Sequence, residues 1–100
     1  MTSFNLTAAL AAVKRDLRIT HSALDEDLLE QIAACLYDLT VCGITDPDPT
    51  DPLILAAIKL FVRREYTDDV TKADAYRQRY DALKGSLQIA AGYGGEADED

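Results

Sequence analysis

Apolar positions recur along the chain at helical spacing, in four stretches with polar breaks between them. Leu6, Leu10, Val13 and Leu17 are spaced four, three and four, one face of an amphipathic helix. Asn5 or Ser3 can cap this helix, and Lys14, Arg15 and Arg18 suit the negative end of its dipole. After Thr20, His21 and Ser22, a second stripe runs Leu28, Leu29, Ile32, Leu36 and Leu39, with Ala33 and Ala34 leaving room for a close neighbour. Asp25, Glu26 and Asp27 crowd its first turn, Ser22 and Asp25 form a capping-box-like pair, and Gly43 is the expected stop.

The third stretch organises the rest. Asp51 and Pro52 form a helix-start signal, an acceptor at the cap and a proline where no N–H is needed. From Leu53 to Val62 only Lys59 is charged, so this helix is apolar on most sides and should be buried on most sides. It ends in Arg63, Arg64, Glu65 and Tyr66. Three prolines in Thr45–Pro52 keep the preceding loop out of any helix. A fourth stripe, Ala73, Tyr76, Tyr80, Leu83, Leu87 and Ala90, favours packing along another helix. Its helix should begin at Thr71 with Asp74 as partner, and Gly85 within it points to a close contact or a bend. From Gly92 the chain is glycine-rich and acidic with nothing to bury, so a flexible tail over 92–100 is expected. No strand pattern appears. The expectation is an all-α domain over 1–91, a small bundle of about four helices around a central buried helix at 51–66.

Composition narrows the chemistry. One hundred residues suffice for one small domain. Ten basic against eighteen acidic residues leave a net charge of −8, and four of the acids lie in the last five residues, leaving −4 for the rest. Such a balance disfavours tight sequence-independent binding to nucleic acid, which needs phosphate neutralisation. No apolar stretch is long enough to cross a bilayer, and charges follow the first apolar segment where a signal peptide would place them before it; a cytoplasmic product is expected. Cys35 and Cys42 lie about 10 Å apart along one helix, too far for a disulfide within the chain, and are expected as buried free thiols.

No constellation of catalytic type emerges. His21 is the only histidine and sits in a turn. The acidic loop Asp46, Asp48, Asp51 lacks the glycine and glutamate of a calcium loop, since its sixth position is Asp51 and its twelfth Ala57. Gly92, Gly94 and Gly95 open no helix that would cradle phosphate. The expectation is therefore a non-enzyme without cofactor or metal. The residues left to meet partners are Arg18, Arg63 and Arg64, which would join Lys14 and Arg15 on a basic face, and Tyr76 and Tyr80 at helical spacing. In the tail, Tyr93 is a candidate anchor, with Glu96 and Asp98 as its acids.

The segment Leu10–Cys35 resembles the opening of small head–tail connector (head-completion adaptor) proteins of tailed phages. There a short helix ending in LRI turns into an acidic-led helix of form D-x-D-L-L-x-x-I-x-x-A; here those are Leu17, Arg18 and Ile19, then Asp25, Asp27, Leu28, Leu29, Ile32 and Ala33 or Ala34. PLILAAIKLFVRREY is similar to the family's next helix, which follows a loop ending in proline, and its close is a partial echo of a W-Y-x-x-R-E ending. AYRQRYDALKGSLQIAAGY is similar to the last helix of its DNA-packaging members, which read Y-D-x-L-K-x-x-L before an ending such as A-G-Y.

The resemblance implies a structural virion protein at the head–tail junction, assembled in the host cytoplasm. It would form a ring of about twelve copies under the portal protein, by head-to-tail contacts that close. The ring would extend the channel through which DNA passes without specific binding, dock the next connector or tail protein, and use its C-terminal segment to attach to the portal. The alternative from another class is a dimeric helical regulator or DNA-packaging recognition protein setting Lys14, Arg15, Arg18, Arg63 and Arg64 against nucleic acid. A recognition helix needs basic and amide side chains on one exposed face, whereas the second helix carries Glu26, Asp27, Glu30 and Asp38.

Overall fold

The computed structural model describes residues 3–99, with side-chain surroundings for residues 6–90. Among them the chain is all-α. The helices are α1 (Ser3–Leu17), α2 (Asp25–Val41), α3 (Pro52–Tyr66) and α4 (Val70–Glu99). α3 is the pole, packing against each of the other three. It begins as its sequence dictates: the Asp51 carboxylate accepts from the backbone N–H of Leu53 at 2.8 Å and of Ile54 at 3.4 Å, with Pro52 in the first turn. Its Ile54, Ala57, Ile58, Phe61 and Val62 are buried, while Leu53 at its start is exposed. Burying a side chain such as Ile58 contributes about 1.5–3 kcal/mol.

The core around α3 takes Ala9 and Val13 from α1, Leu28, Ile32, Cys35, Leu36 and Leu39 from α2, and Tyr80 from α4. On α1 the small Ala9 and Ala12 are more deeply buried than Leu6, Leu10 and Leu17, which flank the core. On α2, Ala33 and Ala34 make no close-packed seam, because they face solvent beside Tyr37 and Val41. Nor does Gly85 mark a close contact: a Cβ there would meet nothing within 4 Å. Cys35 is buried and Cys42 half-buried, both free thiols, so only the first fits the expectation of burial.

Two helices close with the same hydrogen-bonded motif. After α2, Gly43 adopts φ +100°, its N–H donates to Thr40 O, and Ile44 N–H donates to Leu39 O at 3.0 Å. After α1 the pattern repeats with Arg18 in glycine's place, at φ 61°: Arg18 N–H donates to Arg15 O and Ile19 N–H to Lys14 O at 2.9 Å. In each case the following isoleucine packs on the core.

Two sequence expectations about helix starts are corrected. α2 has Leu24 at its cap with no side-chain cap, since Asp25 instead takes Lys14 Nζ at 2.7 Å. α4 starts at Val70, because Asp69 accepts from the N–H of Thr71 at 2.9 Å and of Lys72 at 3.2 Å. The helical backbone also continues past Ala91 to Glu99, through Gly92, Gly94 and Gly95. The side chains of Tyr93, Glu96 and Asp98 lie outside the described surroundings.

Candidate functional site

The four helices meet at one end of the bundle, where α1 and α3 finish and α2 and α4 begin. Polar pairs staple it. Besides Lys14–Asp25, the Arg63 guanidinium grips Asp16 with two bonds, Nε to Oδ2 at 2.7 Å and NH2 to Oδ1 at 2.5 Å. The Asp16 bond is the main reason that Arg63's pKa lies above its ordinary value. Tyr66 on α3 donates its hydroxyl to Asp27 at the start of α2. Burial and then this bond push the Tyr66 hydroxyl up to about 12.

Between these staples lies an open groove of about 590 Å³. Asp16 and Leu17 line it from α1, Arg18 from the turn that closes α1, Arg63 and Tyr66 from α3, and Lys72 and Tyr76 from α4. The Arg63 guanidinium lies over the Tyr76 ring, 5.6 Å from its centroid. Since Asp16 neutralises Arg63, the surplus charge belongs to Arg18 and Lys72, both exposed. Neither side chain has a partner among the described residues. The groove is thus an aromatic-floored polar recess with two free cations on its rim, suited to an acidic group.

One turn further along α4 a second, closed constellation forms. Tyr80 is 1% exposed. Its hydroxyl donates to Asp38 Oδ2 at 2.6 Å, and Lys84 Nζ donates to the same oxygen at 3.1 Å. The buried Cys35 thiol lies 3.8 Å from the Tyr80 oxygen. Arg64 turns inward, its guanidinium 4.2 Å from the Phe61 centroid and 5.3 Å from that of Tyr80. Its buried Nε has no hydrogen-bond acceptor, since Glu65 at 3.6 Å is too far. Burial, reinforced by the bond to Asp38, raises the Tyr80 pKa far above its ordinary value. Burial opposes the Asp38 charge, but the bonds from Tyr80 and Lys84 outweigh it and hold that carboxyl below its usual range. Burial pushes the Cys35 thiol up to about 12, so it is no ready nucleophile.

The interface residues picked from sequence therefore separate. Arg18, Arg63 and Tyr76 come together at the groove; Tyr80 belongs to the core, and the half-buried Arg64 lies over the Phe61 and Tyr80 rings at its edge. Nor do Lys14, Arg15, Arg18, Arg63 and Arg64 make one basic face, because Lys14, Arg63 and Arg64 are taken up by Asp25, Asp16 and aromatic rings. Asp16, Tyr66 and Lys72 were not among those picked. Asp16 was legible as the lone acid in the run Lys14–Arg18; Lys72 carried no local signal, because only the approach of α4 to α1 makes it part of the groove.

His21 stays in its turn, accepting from Ala23 N–H at 3.2 Å. Among the described residues no three His, Cys, Asp or Glu side chains gather as a metal site, and no helix is long and apolar enough to cross a membrane. Neither family models, nor curated proteins, nor solved structures give a match to this chain.

Proposed function

We propose that this chain is a head–tail connector of a tailed phage, a structural protein that rings the portal, prolongs the DNA channel and offers its far side to the next connector or tail protein. The observation carrying this reading is where the family-like residues lie. Ile19, Leu28, Ile32 and Tyr80 of the resembling segments pack in or against one core, and PLILAAIK is the helix on which the others pack. The outward face of α2 carries Glu26 and Glu30, both exposed. With a net charge of −8, that favours a channel along which DNA slides rather than one that grips it.

Mass measurement and negative-stain imaging of the protein, alone and mixed with the portal protein of its own phage, test the proposal. The expected result is a closed ring of about twelve copies on the portal, formed by head-to-tail contacts. An isologous dimer both free and on its target, with duplex binding that weakens as salt rises, would replace the connector with a nucleic-acid-binding regulator.

A further inference from the structure

The geometry points to a contact between copies in which the acidic C-terminal turn of α4 from one copy seats in the Arg18–Lys72 groove of the next. It deepens the ring reading by naming the surfaces that join neighbours, and rests on that reading only for closure of the ring.

Three observations carry it. First, the groove holds two rim cations, Arg18 and Lys72, without partners among the described residues, above the Arg63–Tyr76 stack. The acids of the adjoining loop do not line it, and Asp69 is engaged in capping α4. Second, α4 carries its charge at the unfavourable end. Its last turn has no basic residue, while four of the last five residues of the chain are Asp or Glu. Carboxylates at the negative pole of a helix dipole destabilise it, and glycines in a helix cost about 1 kcal/mol each against alanine. Yet α4 is helical through three glycines to Glu99, and a cationic partner is what would stabilise that end. Third, the copy's own groove cannot serve. Lys72 sits in the first turn of α4, and at 1.5 Å per residue Glu99 is about 40 Å away along the same helix. Groove and acidic end therefore lie at opposite ends of one helix in a molecule 50 Å long. A surface pairing with a different surface of the next copy is heterologous, the type of contact that generates rings.

Charge reversal on each side separately, in the full-length chain, tests the contact. One variant carries Arg18→Asp and Lys72→Glu; aspartate is chosen because it tolerates the left-handed backbone at 18. The other carries Glu96→Lys, Asp98→Lys and Glu99→Lys. Each alone should be monomeric by native mass spectrometry and sedimentation at low salt. Mixed, they should form an associating species of alternating chains, because the native acidic end meets the native groove of the other variant and the lysine end meets the reversed groove. This species should dissociate as the screening length falls below about 10 Å, above roughly 0.1 M salt. A mixture that stays monomeric overturns the contact. If the lysine-tailed variant then also fails to attach to the portal, the acidic end belongs to the portal. No portal is needed for the mixing experiment, so its result is independent of whether the protein rings one.

Discussion

Arg63 and Arg64 are neighbours in sequence and lead to two regions that use the same parts oppositely. Each region pairs an arginine with a tyrosine of α4 and an aspartate from another helix. At the groove, Arg63, Tyr76 and Asp16 stay near the surface, and the arginine's charge is matched by a two-pronged bond. One turn along, Tyr80 is sealed in the core, Asp38 takes its hydroxyl and Lys84, and Arg64 stacks on rings with an unsatisfied Nε. The difference is depth. Near water, a polar triad can be opened and re-formed at little cost; in the core, each unmet group costs its full desolvation. The first region is thus free to meet a partner, while the second ties α4 to α2.

The largest test removes the pole that both regions share. Ile58→Asp places a charge without a partner where the side chain is 0% exposed. The expected outcome is loss of the cooperative thermal transition by circular dichroism. A melt like that of the wild type would mean that α3 is not central.

Tyr76 and Tyr80 of α4 differ next. Tyr80→Phe leaves Asp38 beside Lys84 without its hydroxyl donor and should cost about 1–3 kcal/mol in urea unfolding, whereas Tyr76→Phe at the groove should change stability by under about 0.5 kcal/mol. The pH dependence separates them further. The Tyr80 pKa is raised on folding, so its contribution is complete below the unfolded value of about 10 and is lost as pH rises from there through the folded value. Asp38 is depressed, so its contribution is complete above about 3.9 and is lost as pH falls through the lower folded value. Tyr80→Phe should therefore flatten the alkaline fall in stability. Tyr76→Phe should leave it unchanged, and equal curves for the two variants would erase the distinction between the regions.

The smallest effect separates stability from binding at the groove. Arg18 holds a φ of 61°, a region where a side chain costs about 1–2 kcal/mol and glycine costs little. Part of that gain is offset by glycine's freedom in the unfolded chain, about 0.4–1 kcal/mol. Arg18→Gly should thus unfold no earlier than the wild type, and up to about 1 kcal/mol later, while association between copies weakens. Clear destabilisation would show that the Arg18 side chain serves the fold rather than the groove.

Helix number, order and the α3 start were legible because they rest on local periodicity and on Asp51–Pro52, which need no distant partner. The Gly43 stop was legible for the same reason, whereas its twin at Arg18 was not, since nothing in arginine's chemistry announces a left-handed turn. Helical spacing put Tyr76 and Tyr80 on one stripe and could not say that one would reach the groove and the other the core. That depended on how α4 crosses α3 and on which carboxylates α1 and α2 brought within bonding range. Asp25 passed from the expected capping-box partner of Ser22 to a partner of Lys14, and Asp69 took over the start of α4 from Thr71, for a related reason: a carboxylate binds the nearest strong donor. Sequence alone determined the helices and most of their buried faces, because hydrophobic periodicity is a property of the segment. Which arginines stay available to a partner was settled only by tertiary structure, because a charge is free or taken according to what lies within about 4 Å of it, and that neighbour here comes from another helix.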